Sequence, residues 1–382
     1  MLKVKQYFFK IETVDYLLNF TEDKRLLLYM LNKEENIQYS RHILLDEIGI
    51  VGQEKLKSAK VLVIGAGGLG CPILQYLTAA GIGTIGIIDD DEVDQTNLQR
   101  QILYTIDDIG KSKAKVASER LSKLNPFVFF KVYEEKLDVD NALDLFEAYD
   151  IIVDGSDNFP TRYLVNDASV LTDKPLVFGS IFKFQGQVSV LNYNDGPTYR
   201  CLFPDPPVPG AVPNCSDIGV LGVLPGIIGS LQANEVIKMI TGLGEILRGK
   251  LLYFDTLTMQ QQILNFKKNN DIEINKLEDN YDFFCGINPN VIEEISNTEL
   301  KQNLENYQIL DVRTSQEYEN FNIGGIHMPI DTVSDRVLEL NNHKSIVVCC
   351  QSGVRSKKAI QIITEQRKDL HLINLKNGFS SY

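Results

Sequence analysis

Two stretches of this chain place chemistry-bearing residues at short, regular spacing. In "VLVIGAGGLG" (Val61–Gly70), Gly65, Gly67 and Gly70 form a G-x-G-x-x-G pattern, with Gly68 inside it. Glycines there permit a tight turn and close backbone approach. The helix that follows offers free N–H groups to a phosphate. Asp89, at the end of the next apolar run, is placed to accept from ribose hydroxyls. Downstream, "DDDEVDQTNLQRQ" brings Arg100, "GKSKAK" brings Lys111 and Lys113, and "DGSDNFPTR" brings Asp154, Asp157 and Arg162. Cations beside carboxylates suit a triphosphate with Mg2+, the cations neutralising phosphate charge and a carboxylate holding the metal. A dehydrogenase needs no such cluster. The second stretch, "VVCCQSGVRS" (Val347–Ser356), opens a tight loop on a thiol, Cys350, followed by Gln351, Ser352, Gly353, Val354 and Arg355. Backbone N–H groups at a helix N-terminus and a nearby Arg lower a thiol pKa, and they equally cradle a persulfide-like anion.

The elements that must position these residues read as α/β. "KVLVIG", "TIGIIDDD", "DIIVDGSDN" and "PLVFGS" are short apolar runs rich in branched residues, which predicts buried strands. "LGCPILQYLTAAG" and Lys111–Leu124 follow at helical spacing. Strands alternating with helices predict a mostly parallel, Rossmann-like sheet. "GQVSVLNY" alternates as an antiparallel strand does, and "LLYFDTLTMQQQILNF" reads as a closing pair. Residues 267–290 are polar and rich in Asn and Asp, which predicts a linker. Residues 291–382 form a second, small α/β unit: strands "YQILDVR", "SIVVCC" and "LHLINL", with a helix starting near Ser356. Alternation turns Cys349 to the core and leaves Cys350 in the loop. Residues 1–35 are an extension of open role, and 36–266 the nucleotide-binding unit.

Composition narrows the function. A net charge of −13 repels nucleic acid and anionic membranes, so an anion such as ATP must be held by a local basic site. No apolar run reaches the roughly 18 residues of a membrane span. Six Cys in 382 residues do not form a disulfide framework, so the expectation is a reducing cytoplasm with thiols free for chemistry.

"YSRHILLDEIG", "GAGGLGCP", "IIDDDEVDQTNLQRQIL", "IGKSKAK", "VDGSDNFPTRYLVNDA" and "GVLPGIIGSLQANEVIKM" resemble the MoeB/ThiF family over roughly 37–266. These are ATP-dependent activators of ubiquitin-like sulfur carriers. The resemblance implies adenylation of a carrier's C-terminal Gly-Gly carboxylate. It implies ATP contacts from Asp89, Asn97, Gln99, Arg100 and Lys113, and a Mg2+-side carboxylate at Asp157. It also implies a homodimer in which Arg41 reaches the partner's site. Cys215 matches a Cys in a mobile loop, covalently linked to the carrier in some members and dispensable in others. The family often holds one structural zinc in two C-x-x-C pairs. Here "TYRC" and "DFFC" keep only Cys201 and Cys285, an incomplete set for which no zinc is expected. Cys71 is expected to pack.

"ILDVRTSQEYENFNIGGIHMPI", the Cys350–Arg355 loop and "LINLKNGFSSY" resemble a rhodanese domain over 291–382. The six-residue loop matches the family's sulfur-transferring members, with Asp311, Arg313 and His327 at structural positions. Chains with both domains resemble molybdopterin-synthase sulfurylases. There a persulfide on the rhodanese Cys, loaded by a cysteine-desulfurase-type donor, converts the adenylated carrier to a thiocarboxylate. The thiamine thiazole carrier is the alternative substrate. An NAD(P)-dependent oxidoreductase with a thiol domain, and a non-catalytic scaffold for a ubiquitin-like partner, are the alternatives of other classes.

Overall fold

A computed structural model describes residues 30–207, 219–285, 292–367 and 369–382. The chain divides into two units, 1–286 and 287–382. In the first, eight strands form one sheet: β1 (Lys60–Ile64), β2 (Thr84–Ile88), β3 (Phe129–Tyr133), β4 (Ile151–Asp154), β5 (Leu176–Phe182), β6 (Gln185–Leu191), β7 (Lys250–Asp255) and β8 (Gln260–Asn265). Their spatial order is β3-β2-β1-β4-β5-β6-β7-β8. The first five are parallel and the last three antiparallel, as the alternation of "GQVSVLNY" and the closing pair predict. The residues of β1 explain the doubly covered sheet. Val61 and Val63 enter one core, Leu62 and Ile64 the other. A strand buried on both faces must be apolar at every position.

Helices α1 (Gly70–Ala80), α2 (Lys113–Leu124), α3 (Phe159–Leu171) and α4 (Val223–Thr241) complete the framework. The strand order reverses between β1 and β4. Such a switch point opens a crevice at the carboxyl ends of the strands. Gly70 is obligatory at the entry to α1, because a Cβ there would lie 2.0 Å from the Gly65 carbonyl oxygen.

The segment expected as a linker behaves otherwise in part. A turn of helix at Tyr281–Phe284 and the following Cys285 pack into the first unit, with Tyr281 and Cys285 about 5% exposed. The polar, Asn-rich run concealed these aromatic anchors.

In the second unit, five parallel strands stand in the order β11-β10-β12-β13-β9: β9 (Glu294–Ile295), β10 (Gln308–Asp311), β11 (Ile326–His327), β12 (Ile346–Cys349) and β13 (Leu372–Leu375). β12 is central, and α5 (Val354–Gln366) follows it. The helix begins two residues before the predicted start near Ser356.

Candidate functional site

The crevice between β1 and β4 is a cavity of about 500 Å³. Its wall brings together Gly65, Gly67, Gly68, Asp89, Arg100, Lys113 and Asp157, seven of the positions singled out in the sequence. Gly70 does not line it. Asn97 and Gln99 are also absent from the wall. Asn97 Oδ1 instead accepts from the Asp94 N–H at 3.2 Å, capping a short 3-10 turn, and Gln99 is exposed beside Gly222. Arg41 is exposed on the short helix Ser40–Ile43 and lies off the cavity of its own chain. Lys111 is solvated and lies 3.7 Å from Asp108.

Two carboxylates are spent on architecture. Asp89 Oδ2 accepts from the Ala66 N–H at 2.7 Å, and Oδ1 from the Asp91 N–H at 2.9 Å. The carboxylate thereby ties the glycine turn to the end of β2. Each oxygen retains a second lone pair for a ligand. Burial pushes its pKa up, partly countered by the Ala66 bond and Lys113. Asp154, at the end of β4, is fully buried, and its Oδ1 accepts from the Ser156 N–H at 2.9 Å. Burial raises its pKa while the Arg162 guanidinium, 3.8 Å away, opposes that. Arg162 lines the cavity and donates to the Ser156 carbonyl at 3.3 Å. Together they fix the loop that presents the exposed carboxylate of Asp157.

Lys113 is 5% exposed and bonds Asp91 Oδ2 at 2.7 Å. It is the first residue of α2, where a helix repels cations. A buried lysine at that end is costly, and an incoming polyanion relieves the cost. Sequence reading missed Glu135, Lys136 and Leu137, which line the cavity from the loop after β3. β3 itself, "FFKVY", is the edge strand of the sheet, with no fully buried position.

The two half-pairs of Cys supply two thiols, fewer than the four Cys or His ligands of a structural zinc site. Cys201 Sγ accepts from the Thr198 N–H at 3.4 Å and the Asn269 N–H at 3.3 Å. Burial pushes the Cys285 thiol up to about 11. Among the described residues no group of three or more His, Cys, Asp or Glu could hold a metal. The two turns are joined by an ion pair instead. Arg200 donates to both Asp167 oxygens at 2.8 and 2.6 Å, Tyr281 donates to Asp167 at 2.6 Å, and the guanidinium lies over the Phe284 ring at 4.5 Å. Cys71 is buried in the core, as expected, and Cys215 falls outside the described residues.

In the second unit the pleat of β12 separates the neighbouring thiols. Cys349 enters one core with Val347, and Cys350 the other with Val348. Cys350, first residue of the loop, is fully buried. Its Sγ accepts from the Gly353 N–H at 3.1 Å and lies 3.2 Å from Ser356 Oγ. Gly353 stands at φ +85°, where a side chain would strain the turn that aims this N–H inward. Gln351, Ser352 and Val354 are exposed. Arg355 is not free to face the sulfur alone. It forms a two-bond pair with Glu317, at 2.8 and 2.6 Å. Asp311 and Arg313 pair in the core at 2.6 Å, and His327 stacks on Tyr318 at 4.3 Å, both structural arrangements.

Residues 39–274 match the ThiF family, and residues 296–382 match the rhodanese-like domain. The chain belongs to the ThiF family and carries a C-terminal rhodanese domain. Among relatives, a probable adenylyltransferase/sulfurtransferase MoeZ of Mycobacterium tuberculosis is 42% identical, covering 87% of this chain and 89% of that one. The adenylyltransferase and sulfurtransferase MOCS3 of Aedes aegypti is 42% identical, covering 88% and 83%. The sulfur carrier protein adenylyltransferase of Thermus thermophilus is 49% identical over 67% of this chain and 98% of its own length. A crystal structure of E. coli MccB with ATP resembles the chain at TM-score 0.54 and 25% identity, covering 65% of this chain and 75% of that one. The protein is thus an adenylyltransferase/sulfurtransferase of the MoeB/MOCS3 type, and the oxidoreductase and scaffold readings give way to it. No helix among the described residues is long and apolar enough to cross a membrane.

Proposed function

We propose that the chain adenylates the C-terminal Gly-Gly carboxylate of a ubiquitin-like sulfur carrier of the molybdopterin-synthase type. A persulfide on Cys350 then supplies the sulfur for a thiocarboxylate. The observation that carries the first half is the cavity at the switch point, where Arg100, Lys113 and Asp157 share one wall with the glycine turn. Asp89 accepts from the ribose, the turn and Lys113 hold phosphates, and Arg100 offsets charge at the α-phosphorus. The carrier carboxylate attacks that phosphorus and pyrophosphate leaves, a step that needs positioning and charge stabilisation but no side-chain nucleophile. Asp157, an exposed carboxylate at the cavity, is a hard oxygen donor suited to Mg2+, which would offset phosphate charge when bound. The active unit is a homodimer, with Arg41 reaching the partner's cavity.

In the second half, the outer sulfur of the persulfide attacks the acyl carbon and AMP leaves. Exchange of the resulting acyl disulfide with a second thiol then frees the thiocarboxylate. The sulfur reaches Cys350 from a cysteine-desulfurase-type donor. The resemblance of a chain with both domains to molybdopterin-synthase sulfurylases favours the molybdopterin-type carrier. ATP–pyrophosphate exchange with a panel of Gly-Gly-ending carriers tests this. Exchange driven by the molybdopterin-type carrier is expected, and exchange driven solely by the thiamine-type carrier would replace that assignment.

A further inference from the structure

Cys350 has a buried polar chain behind it that the sulfur-transfer reading does not use. Asn374 Nδ2 donates to Glu294 Oε1 at 2.9 Å, and Glu294 is tied to Lys357 at 2.9 Å. That bond fixes which way the Asn374 amide faces. Its Oδ1 therefore points at Ser356 and accepts the Ser356 hydroxyl proton at 2.5 Å. Ser356 Oγ, its one proton committed, turns a lone pair toward Cys350 Sγ at 3.2 Å. A lone pair there accepts from the thiol S–H and opposes the thiolate. The Gly353 N–H, at 3.1 Å on the same sulfur, does the reverse. Cys350, Ser356 and Asn374 are all fully buried, so water does not average out these contacts.

We propose that Ser356, oriented by Asn374, is a positioning residue that sets the protonation state of Cys350. In the resting domain it accepts the thiol proton. When that proton leaves to water, the hydroxyl turns from Asn374 Oδ1 to donate to the sulfur anion, at the cost of leaving a buried amide oxygen unpaired. The other ionisable groups around the loop are already committed. Arg355 is paired with Glu317, Asp311 with Arg313, and Glu294 with Lys357, while Cys349 lies on the opposite face of the strand.

The inference rests on Cys350 as the sulfur-bearing residue, but its test needs no sulfur donor. The rate of Cys350 alkylation is followed against pH on the full chain, resolved by peptide mass spectrometry. Asn374→Leu removes the acceptor and frees the Ser356 hydroxyl for the anion. The alkylation midpoint should fall by about one pH unit, the worth of one buried hydrogen bond. In a Ser356→Ala background the same change should move the midpoint little. Asn374→Ala serves as a smaller variant should Leu not be accommodated. A midpoint that stays or rises with Asn374→Leu, or an equal fall with Ser356→Ala present, overturns the proposal. Persulfide loading of Cys350 by a desulfurase and cysteine is read separately, and its absence would fail the sulfur-transfer reading alone.

Discussion

The nucleotide cavity and the sulfur loop both sit at the carboxyl end of a central parallel strand, ahead of a helix, yet they divide burial in opposite ways. In the cavity the supporting groups are buried and the carboxylate proposed to act is exposed: Asp154 and Lys113 are almost inaccessible, and Asp157 faces solvent. In the loop the sulfur proposed to act is buried, and Arg355 and Glu317, the pair beside it, are each about a third exposed. A large charged ligand needs a wide mouth with charges fixed in advance. A single sulfur needs a small, dry environment in which one N–H and one hydroxyl decide its charge.

That contrast breaks most sharply if the two chemistries fail to separate. Asp157→Ala should lower carrier-dependent ATP–pyrophosphate exchange by about 10²–10³-fold, the usual loss when a charge-stabilising group is removed. It should leave thiosulfate–cyanide sulfur transfer by the same chain unchanged. Cys350→Ser should do the opposite, abolishing sulfur transfer at unchanged exchange. A single substitution that disables both assays would mean the sites do not act as distinct centres.

The next largest effect concerns the ion pair that stands between the two turns. Arg200→Met leaves the Asp167 charge buried without its counter-charge, which costs about 3–5 kcal/mol. Denaturant unfolding of the first unit should report that loss. Because the joint is made of side chains, a chelator should not shift the midpoint of the unaltered protein. A chelator-sensitive midpoint would restore a structural metal to this place.

Much of the first site was legible because its logic is local. "VLVIGAGGLG" announces a strand, a turn and a helix in ten residues, and Asp89 and Asp157 each lie just after a strand whose apolar run is plain. What escaped is long-range. Lys136 and Leu137 reach the cavity from the loop after β3, and Tyr281 is buried against elements far away in sequence, its hydroxyl bonded to Asp167. Asn97 and Gln99 are near Arg100 in sequence, yet Arg100 lines the cavity without them. In the second unit the pleat gave Cys349 its core position. The burial of Cys350 was hidden, since a polar loop sequence does not reveal that its first residue folds inward against Val348 and Ala359.

The smallest effect sharpens the view of Arg355 and Glu317 as external support. Glu317 accepts from Arg355 and also from the Thr314 N–H and Oγ1, closing the first turn of the helix Ser315–Asn320. These bonds, Arg355 foremost, hold its carboxyl down to about 2. A depressed acid stabilises the fold above its unfolded pKa, near 4.3, and loses that contribution as pH falls through the folded value. Both partners are substantially solvated, so the pair is worth only about 0.5–1 kcal/mol at neutral pH. Glu317→Gln should therefore lower the stability of the second unit slightly at pH 7. The gap between variant and parent should narrow between about pH 4.5 and pH 2. Urea unfolding of the two proteins, followed at a probe in the second unit across that range, measures it. A gap that stays constant with pH would mean that Arg355 contributes through packing of its stem and not through charge. The loop's support would then be steric, unlike the electrostatic support of the cavity.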